Sequence, residues 1–485
     1  MISHQEKLRN ELAGLKVSIA HYRSLLEEAE QREATIQAAL DAYIFPVLTL
    51  PPEITTEIFL HYAFAVYKKD EREPRLPCKD ILILTMVCRA WRHLALSAHG
   101  LWSTIDLGNF PLSYKARGEM EDIVDGWFSR AGAIPLSLRG WMGPVKKKTS
   151  RGINTILRRH APRLRDLHIC VSDPGHISNF VDDLSFPILQ SLDLSNLADG
   201  GPGTPSLPPL PISTFRESPQ LRHLNLEAIP PASLGGIRWE RLESLATLDI
   251  TPQECLDILH KSPALLKWES YGSDENFYDA DQAMISHPRL ATFELLNSNR
   301  EMLRYLTLPA LRDLSVHLQE LDDDDFLAFL SRSRRALQRF AFFGRGPLVL
   351  SMKWCQHMMH LTSLGLSELR APFRANFVRG INRQHEHNFL PALEELTLRD
   401  WKSDQLDAQL LDALHSRSTA QEAESGKAVP MQLKLFRFIW MSEGPYTADA
   451  AGIESLIRDH QVVLRDLKMR GMEVYVGTEE RNYFE

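Results

Sequence analysis

The sequence is poor in cysteine and has no long hydrophobic run. Its 485 residues include five cysteines, which are far apart and never arranged as a CxxC pair. This pattern favours neither a disulfide framework nor a cysteine zinc site, and it is typical of a reducing, intracellular compartment, the cytoplasm or the nucleus. The amino-terminal residues form no apolar export segment. The most apolar short run, residues 81–88 (ILILTMVC), is too short for a membrane-spanning helix, which needs about 20 residues, so no membrane association is expected.

An excess of positive charge is also absent. The formal net charge is −8, whereas a dedicated nucleic-acid binder concentrates Lys and Arg to neutralise phosphates. The sequence therefore predicts no nucleic-acid partner. One basic cluster, residues 146–148 with Arg151, is predicted to be a solvated loop, with a nuclear import signal or an anion-binding patch as the alternative.

Motifs of catalysis and metal binding are missing as well. The glycine-rich segment 199–211 lacks the GK[ST] of a phosphate loop, and the histidines of segments 357–360 and 385–387 do not have HExxH spacing. The acid run 322–325 lacks the alternation and glycine of a calcium loop and is predicted to start a helix. No catalytic residue, metal or cofactor is predicted, and the chain is not expected to be an enzyme.

The first forty residues carry a heptad pattern, which predicts a long helix over residues 1–45. The seam is interrupted by Glu33. Because the seam is short and contains this acid, packing on the rest of the chain is the simpler interpretation, and self-association as a coiled coil is the alternative. The seam positions are Leu8, Leu12, Leu15, Ile19, Tyr22, Leu26, Ala29, Ile36 and Leu40.

Residues 48–62 (LTLPPEITTEIFLHY) predict a second, shorter helix. Proline is tolerated in a first turn and a carboxylate suits the positive end of the helix dipole, so Pro51-Pro52-Glu53 is a start signal. Apolar residues then recur at helical spacing, in a stripe too wide for a solvated helix. The stripe comprises Ile54, Ile58 and Tyr62, with Leu50 and Phe59 beside them. Such a helix needs an apolar neighbour, in this chain or in another.

A third helix is predicted after the polar insertion 67–80. Asp80 is suited to cap it, and apolar residues continue at helical spacing from Ile81 to Ala95, with Val87 and Leu94 on the flanks. The segment SAHG ends the run before a strand-like STIDL. Together these helices make a unit of about 60 residues, which is near the lower size limit for an independent core.

Both helical segments resemble an F-box. The matching stretches are LPPEITTEIF and VCRAWRHLALSAHGLWSTIDL, and with the preceding heptad helix they resemble the F-box proteins of mushroom-forming fungi. The resemblance implies an F-box domain over residues 46–110 that docks on a Skp1-type adaptor, which links it to the cullin and RING subunits of a ubiquitin ligase. The insertion and Cys88, where a serine is usual, depart from the family pattern. The implied adaptor-binding residues are Leu50, Pro51, Ile54, Ile58 and Phe59. The alternative is that these helices pack on the rest of this chain.

From residue 111 onward the sequence repeats a phrase with L-x-x-L-x-L spacing. In each phrase the last two apolar positions flank a polar one, as in a strand with one buried face, and helix-like segments lie between phrases. The phrases resemble leucine-rich repeats, and they predict an irregular α/β solenoid over residues 111–485 that binds a target protein. They begin at Leu164, Leu189, Leu221, Leu245, Leu265, Leu290, Leu311, Leu337, Leu361, Leu393, Leu433 and Leu464.

In each phrase, the residue between the second and third apolar positions is predicted to point outward, which gives one outward residue per repeat. Among these outward residues, the acids lie in the first half of the repeats and the bases in the last half. A functional gradient predicts target-binding residues Asp193, Asp249, Glu269, Glu294, Arg437 and Lys468. The alternative is that these are solvated strand residues of random sign.

The predicted fold class is mainly α plus α/β repeat: a long helix, a small helical F-box and a leucine-rich-repeat solenoid. The predicted function is a non-catalytic substrate-recognition subunit of an SCF-type ubiquitin ligase, in which the F-box binds the Skp1-type adaptor and the repeats bind an unknown target. The rival interpretation is a leucine-rich-repeat scaffold that acts without ubiquitin transfer, because a fold alone does not establish a function.

Overall fold

The chain forms two compact units, Met1–Trp102 and Ser103–Glu485, in the computed structural model. The division precedes the predicted F-box boundary at residue 110, because the strand Thr104–Asp106 pairs within the second unit. The described residues are 2–41, 49–65, 78–107, 120–142, 147–171, 184–196, 215–272, 283–296, 299–317, 323–333, 337–343, 352–367, 373–385, 389–400, 406–418, 432–440, 450–478 and 481–484.

Helices make up the described part of the first unit and alternate with strands in the second. The helices are α1 (Ile2–Asp41), α2 (Pro52–Ala65), α3 (Cys78–Leu84), α4 (Arg89–Ser97), α5 (Met120–Arg130), α6 (Lys147–His160), α7 (Pro252–Lys261), α8 (Asp323–Arg332), α9 (Phe373–Ile381), α10 (Ala408–Arg417) and α11 (Ala450–Met469). The strands are β1 (Thr104–Asp106), β2 (Leu136–Met142), β3 (Leu164–Val171), β4 (Ser191–Asn196), β5 (His223–Glu227), β6 (Ser244–Ile250), β7 (Lys267–Gly272), β8 (Ile285–Ser286), β9 (Thr292–Leu296), β10 (Leu306–Thr307), β11 (Asp313–His317), β12 (Arg339–Phe342), β13 (Ser363–Ser367), β14 (Glu395–Asp400), β15 (Leu435–Trp440) and β16 (Glu473–Gly477).

Fourteen of these strands form one parallel sheet whose order follows the chain, from β1 to β16. Strands β8 and β10 pair separately in parallel, so β7 pairs with β9 and β9 with β11. Parallel neighbours require crossover connections, and helices lie in several of them, such as α7 between β6 and β7 and α10 between β14 and β15. Buried apolar residues stand in register across the sheet, as at Leu192, Leu224 and Leu245, so the core lies along one face of the strands.

The repeated phrases lie on strands of this sheet, with one exception and one offset. The last phrase, at Leu464, lies in α11, so the predicted strand position of Lys468 is wrong. Leu464 and Leu467 are both buried, and a spacing of three suits a helix as well as the end of a repeat phrase. In β6 the buried phrase begins at Leu242 rather than Leu245. The residue Asp249 consequently falls outside the register predicted for it.

The predicted third helix is two helices in the structure, α3 and α4, separated by a turn. Asp80 lies in the first turn of α3 rather than at its cap. Cys88 is the N-cap of α4, and its Sγ accepts a hydrogen bond from the backbone N–H of Trp91 at 3.4 Å. A capping residue has non-helical backbone angles, so Cys88 ends the helical run that the apolar spacing alone suggested.

The long helix α1 confirms the helical part of the heptad prediction. All of its described side chains, residues 4–40, are exposed. The seam is therefore not covered by the other described helices of the first unit, and its self-association stays a prediction. Among the residues that the structure describes, no helix is both long and apolar enough to cross a membrane.

Two charged segments of the sequence lie in helices. The acid run starts α8, as predicted. The basic cluster was expected in a loop, but Lys147, Lys148 and Arg151 belong to α6, whose residues Ile156 and Leu157 are buried in the core. Lys146, the glycine-rich segment 199–211 and most of the insertion 67–80 lie outside the described residues.

Candidate functional site

Helix α2 begins where the two prolines predict. The backbone N–H of Thr55 donates to the carbonyl of Pro51 at 3.1 Å, and the Thr55 hydroxyl donates to the same carbonyl at 3.3 Å. Pro52 occupies the first helical position and Glu53 the first turn, where a missing N–H has no cost and a carboxylate is favoured by the dipole. The start of the helix is therefore fixed locally by its own sequence.

One stripe of α2 belongs to the core of the helical unit. Thr55, Phe59 and Ala63 follow each other at intervals of four and are 3%, 1% and 0% exposed. The Phe59 ring packs on Trp91 of α4, with 4.9 Å between ring centroids and a 60° angle between planes. This stripe holds α2 against α4, and we call it the inner stripe.

Phe59 is predicted from the sequence to contact the adaptor, and the structure places it in the inner stripe instead. A fully buried ring that already packs on Trp91 offers no surface to a second protein. Moving the Phe59 ring out of this contact would lower the stability of the unit, because a buried aromatic side chain would be lost from its core. Phe59 therefore lies in the core of the helical unit, and its contact with an adaptor stays a prediction that this packing disfavours.

The adjacent stripe of α2 is apolar but exposed. Ile54, Ile58 and Tyr62 are 51%, 45% and 46% exposed, and Leu50, one turn before Ile54, is 38% exposed. Pro51 is exposed as well. These residues recur at intervals of four, so they lie on one face of the helix. We call Leu50, Ile54, Ile58 and Tyr62 the outer stripe, and it is the candidate functional site.

Further exposed apolar residues come from α3, α4 and the turn between them, and the sequence patterns did not identify them as exposed. Met86 and Val87 in the turn are 73% and 55% exposed, while Ile83 and Leu96 are 41% and 40% exposed. Val87 was predicted to flank a continuous helix. The helix is broken at Cys88, so Val87 lies in a turn. Identifying Cys88 as an N-cap in the sequence would have predicted this turn.

The rest of the helical unit positions α2. A Cβ atom at Gly100 would meet Leu60 Cδ2 at 3.1 Å, so the chain after α4 approaches α2 closely. The buried indole of Trp102 donates from Nε1 to the carbonyl of Ala95 at 2.7 Å. Leu101 is fully buried beside it. These contacts fix the carboxyl end of the unit beneath α2 and leave the outer stripe uncovered.

A second candidate surface is the outward row of the parallel sheet, one residue per strand in continuous register, in which Asp106 and Gly365 are buried and the other members are at least partly accessible. The row retains most of the predicted positions, but β6 contributes Ala246 in place of Asp249, and β16 contributes Tyr475 in place of Lys468. The members are Asp106, Arg139, His168, Asp193, Asn225, Ala246, Glu269, Glu294, Ser315, Ala341, Gly365, Thr397, Arg437 and Tyr475.

Several charges of this row are engaged within the chain. His168 Nδ1 lies 2.6 Å from Asp193 Oδ2, and Lys267 forms an ion pair with Glu269. The Arg437 guanidinium lies over the Tyr475 ring, 6.0 Å from its centroid. Apart from the buried Asp106, the acids of the row lie between β4 and β9, and Arg437 lies near the carboxyl end, but Arg139 adds a base early in the row. The charge gradient is weaker than the sequence alone suggested.

The described residues offer little for covalent or metal chemistry. No group of three or more His, Cys, Asp or Glu side chains in the described ranges is placed to hold a metal ion. Cys255 is fully buried, and burial raises the pKa of its thiol to about 12. A reactive cysteine needs a thiolate, so Cys255 is a core residue rather than a nucleophile.

Comparison with known proteins identifies one domain. A family model described as F-box-like matches residues 47–108, which contain the whole of α2, α3 and α4. No curated protein matches the chain. F-box proteins are typically adaptors rather than enzymes. The helical unit with the outer stripe is therefore an F-box-like domain, and its presence supports an F-box protein.

Proposed function

We propose that this protein is a substrate-recognition subunit of an SCF-type ubiquitin ligase. The observation that carries the proposal is the division of α2 into a buried inner stripe and an exposed apolar outer stripe within an F-box-like domain. The domain supplies its own core through Phe59 and leaves Ile54 and Ile58 uncovered. A second protein that covers them explains both stripes.

The outer stripe has the chemistry of a protein-binding surface. Burying one fully exposed large apolar side chain contributes about 1.5–3 kcal/mol, and Ile54, Ile58 and Tyr62 are about half exposed, so each supplies about half of this to a complex. The proposed partner is a Skp1-type adaptor, which links the F-box to cullin and RING subunits. Leu50 and Pro51 extend the contact at the amino end of α2, and Met86 and Val87 are added to it from the turn before α4.

We propose that the second unit is a leucine-rich-repeat solenoid that binds the target protein. Support comes from the parallel sheet whose strand order follows the chain and from the apolar positions that stay in register between neighbouring strands. Each strand then buries its neighbour's apolar residues, as in a stacked repeat array. The scaffold without ubiquitin transfer remains the alternative, since the target surface is the same in both.

Reconstitution tests the ligase proposal. The full chain is coexpressed with a Skp1-type adaptor and captured through an affinity tag, and we expect the adaptor to copurify in a one-to-one complex. Cullin and RING subunits are then added together with ubiquitin and its activating and conjugating enzymes. Assembly and ubiquitin transfer support the ligase. An adaptor complex that fails to recruit the cullin favours the scaffold, and no adaptor complex at all overturns the proposal.

We propose further that a basic segment of the target lies over the acids of the outward row. Replacing Asp193, Glu269 and Glu294 by lysine is expected to weaken target capture at least about tenfold and to remove its dependence on salt, because opposite charges steer and select partners at close range. The measurement compares proteins crosslinked to the wild type and to the variant in extracts of the native cell at low and high salt.

The matched control changes the same net charge elsewhere in the second unit. Asp324, Glu454 and Asp459 are exposed helical acids, and their replacement by lysine is expected to leave capture and adaptor binding unchanged. Capture that survives reversal of the row acids at low salt contradicts this placement. The target site is then sought in the segment 200–211, which lies outside the described residues.

A further inference from the structure

Helix α1 presents an exposed apolar seam from Leu8 to Leu40 that is interrupted once, at Glu33. Forty residues in one helix extend about 60 Å. A seam with heptad spacing that remains exposed throughout is typical of a coiled-coil strand without its partner. The exposed fractions are Leu8 52%, Leu12 54%, Leu15 56%, Ile19 50%, Tyr22 67%, Leu26 59%, Ile36 54% and Leu40 64%.

The charges of α1 are divided between its two ends. Residues 2–23 contain four basic and two acidic side chains, and residues 24–41 contain five acidic and one basic side chain. The amino-terminal part therefore carries a net charge of +2 and the carboxy-terminal part a net charge of −4, with His neutral. The basic residues are Lys7, Arg9, Lys16, Arg23 and Arg32, and the acidic residues are Glu6, Glu11, Glu27, Glu28, Glu30, Glu33 and Asp41.

This distribution does not help α1 as an isolated helix. A helix dipole is positive at the amino end and negative at the carboxyl end, so it favours acids first and bases last. The first turn of α1 has no acid and the last turn has no base, and the charges along the helix run in the same direction as the dipole. An antiparallel partner helix makes the same charges favourable. At each end of the pair, the acidic part of one helix then faces the basic part of the other.

Glu33 favours the same orientation. In a parallel pair with equal registers, a seam residue faces its own copy. Two Glu33 carboxylates would then face each other in the apolar seam and repel. The two basic parts would also face each other, and so would the two acidic parts. In an antiparallel pair that overlaps over residues 2–41, each Glu33 lies beside position 10 of the partner helix, close to the partner's basic residues at positions 7 and 9. The acid that weakens a parallel seam is therefore compatible with an antiparallel one.

We propose that α1 binds α1 of a second copy of this chain as an antiparallel two-stranded coiled coil. The seam supplies the apolar contact, and the opposite charges of the two halves set the orientation. The two chains leave the coiled coil at opposite ends, about 60 Å apart. Two F-box-like domains are thereby carried by one assembly without competing for the same space. The inference does not rest on the proposed ligase function.

Distances between spin labels in the full-length protein test the orientation. A label is attached at Asn10→Cys, which is outside the seam, in a Cys88→Ser background that keeps an N-cap side chain on α4. An antiparallel dimer places the two labels about 35 Å apart or more, and a parallel dimer about 20 Å apart. The matched control is Ser24→Cys, two heptads further and close to the midpoint, where both orientations give about 20 Å.

Charge reversal tests the cause. Replacing Glu27, Glu28 and Glu30 by lysine makes both halves of α1 basic and is expected to weaken self-association at least about tenfold in sedimentation experiments. Adding Lys7→Glu, Arg9→Glu and Lys16→Glu to the same chain restores opposite halves and is expected to restore the dimer. A monomeric wild-type chain, a 20 Å distance at position 10, or failure of this rescue overturns the proposal. Adaptor binding is measured separately and is expected to persist in each variant.

Discussion

Replacing Ile58 by aspartate together with Leu50→Ala is expected to reduce adaptor binding by roughly a hundredfold or more. Both side chains belong to the outer stripe and are 45% and 38% exposed in the free chain. A carboxylate at position 58 loses its water on binding and gains no partner in an apolar contact, which is costly. The measurement is the dissociation constant of the complex between the full chain and a Skp1-type adaptor.

The same variant is expected to remain folded, because neither residue contributes to the inner stripe. Circular dichroism and limited proteolysis check this point. The matched control is Val462→Asp, which places the same charge on an exposed apolar residue of α11, where Val462 is 82% exposed. The control is expected to bind the adaptor normally. Unchanged binding by a well-folded Ile58→Asp, Leu50→Ala chain would show that the outer stripe is not the adaptor contact.

The start of α2 was predictable from the sequence, but the choice of its buried stripe was not. Pro51, Pro52 and Glu53 define the first turn through local chemistry alone. Two stripes at intervals of four then compete for the core, one with Phe59 and one with Ile58. The packing of Phe59 on Trp91 decides between them, and this contact joins two helices separated by an insertion that no sequence pattern could position.

The parallel strands were predictable for a similar reason, since each phrase states its own alternation of buried and exposed residues. The errors occurred where one phrase fits two structures. The spacing of Leu464 and Leu467 fits a helix as well as a phrase, and both residues lie in α11. At β6, Leu242 starts a second phrase three residues before Leu245, with the buried Thr247 at its third position, and pairing with β5 selects it. A shift of register changes which residue of a strand points outward. Ala246 therefore stands in the row in place of Asp249.

The seam of α1 shows a further limit of pattern reasoning. Heptad spacing predicts that Leu12 and Ile19 need apolar neighbours, but it does not say in which chain these neighbours lie. Their exposure in the structure removes the other described helices of the first unit as this neighbour. The charge difference between the two halves was readable from the sequence from the outset, and it became informative once the seam was known to be uncovered.

Replacing Phe59 by alanine is expected to unfold the F-box-like domain, in contrast to the outer-stripe variant. A buried Phe→Ala substitution costs about 3–5 kcal/mol, and here the lost ring leaves Trp91 without its aromatic contact. A helical unit of about 60 residues has little stability to lose. The cost therefore approaches the whole free energy of unfolding of the unit.

Thermal unfolding of the full chain, followed by protease sensitivity of residues 49–102, measures this effect. Phe59→Ala is expected to expose the unit to cleavage and to lose adaptor binding together with structure, while the parallel sheet of the second unit stays protected. Ile54→Ala is the matched control, because Ile54 is 51% exposed on the same helix and an exposed truncation changes stability by only about 0.5 kcal/mol. If Phe59→Ala proved as stable as Ile54→Ala, the inner stripe would not be the core of this unit. The two variants thus separate loss of the binding surface from loss of the fold that presents it.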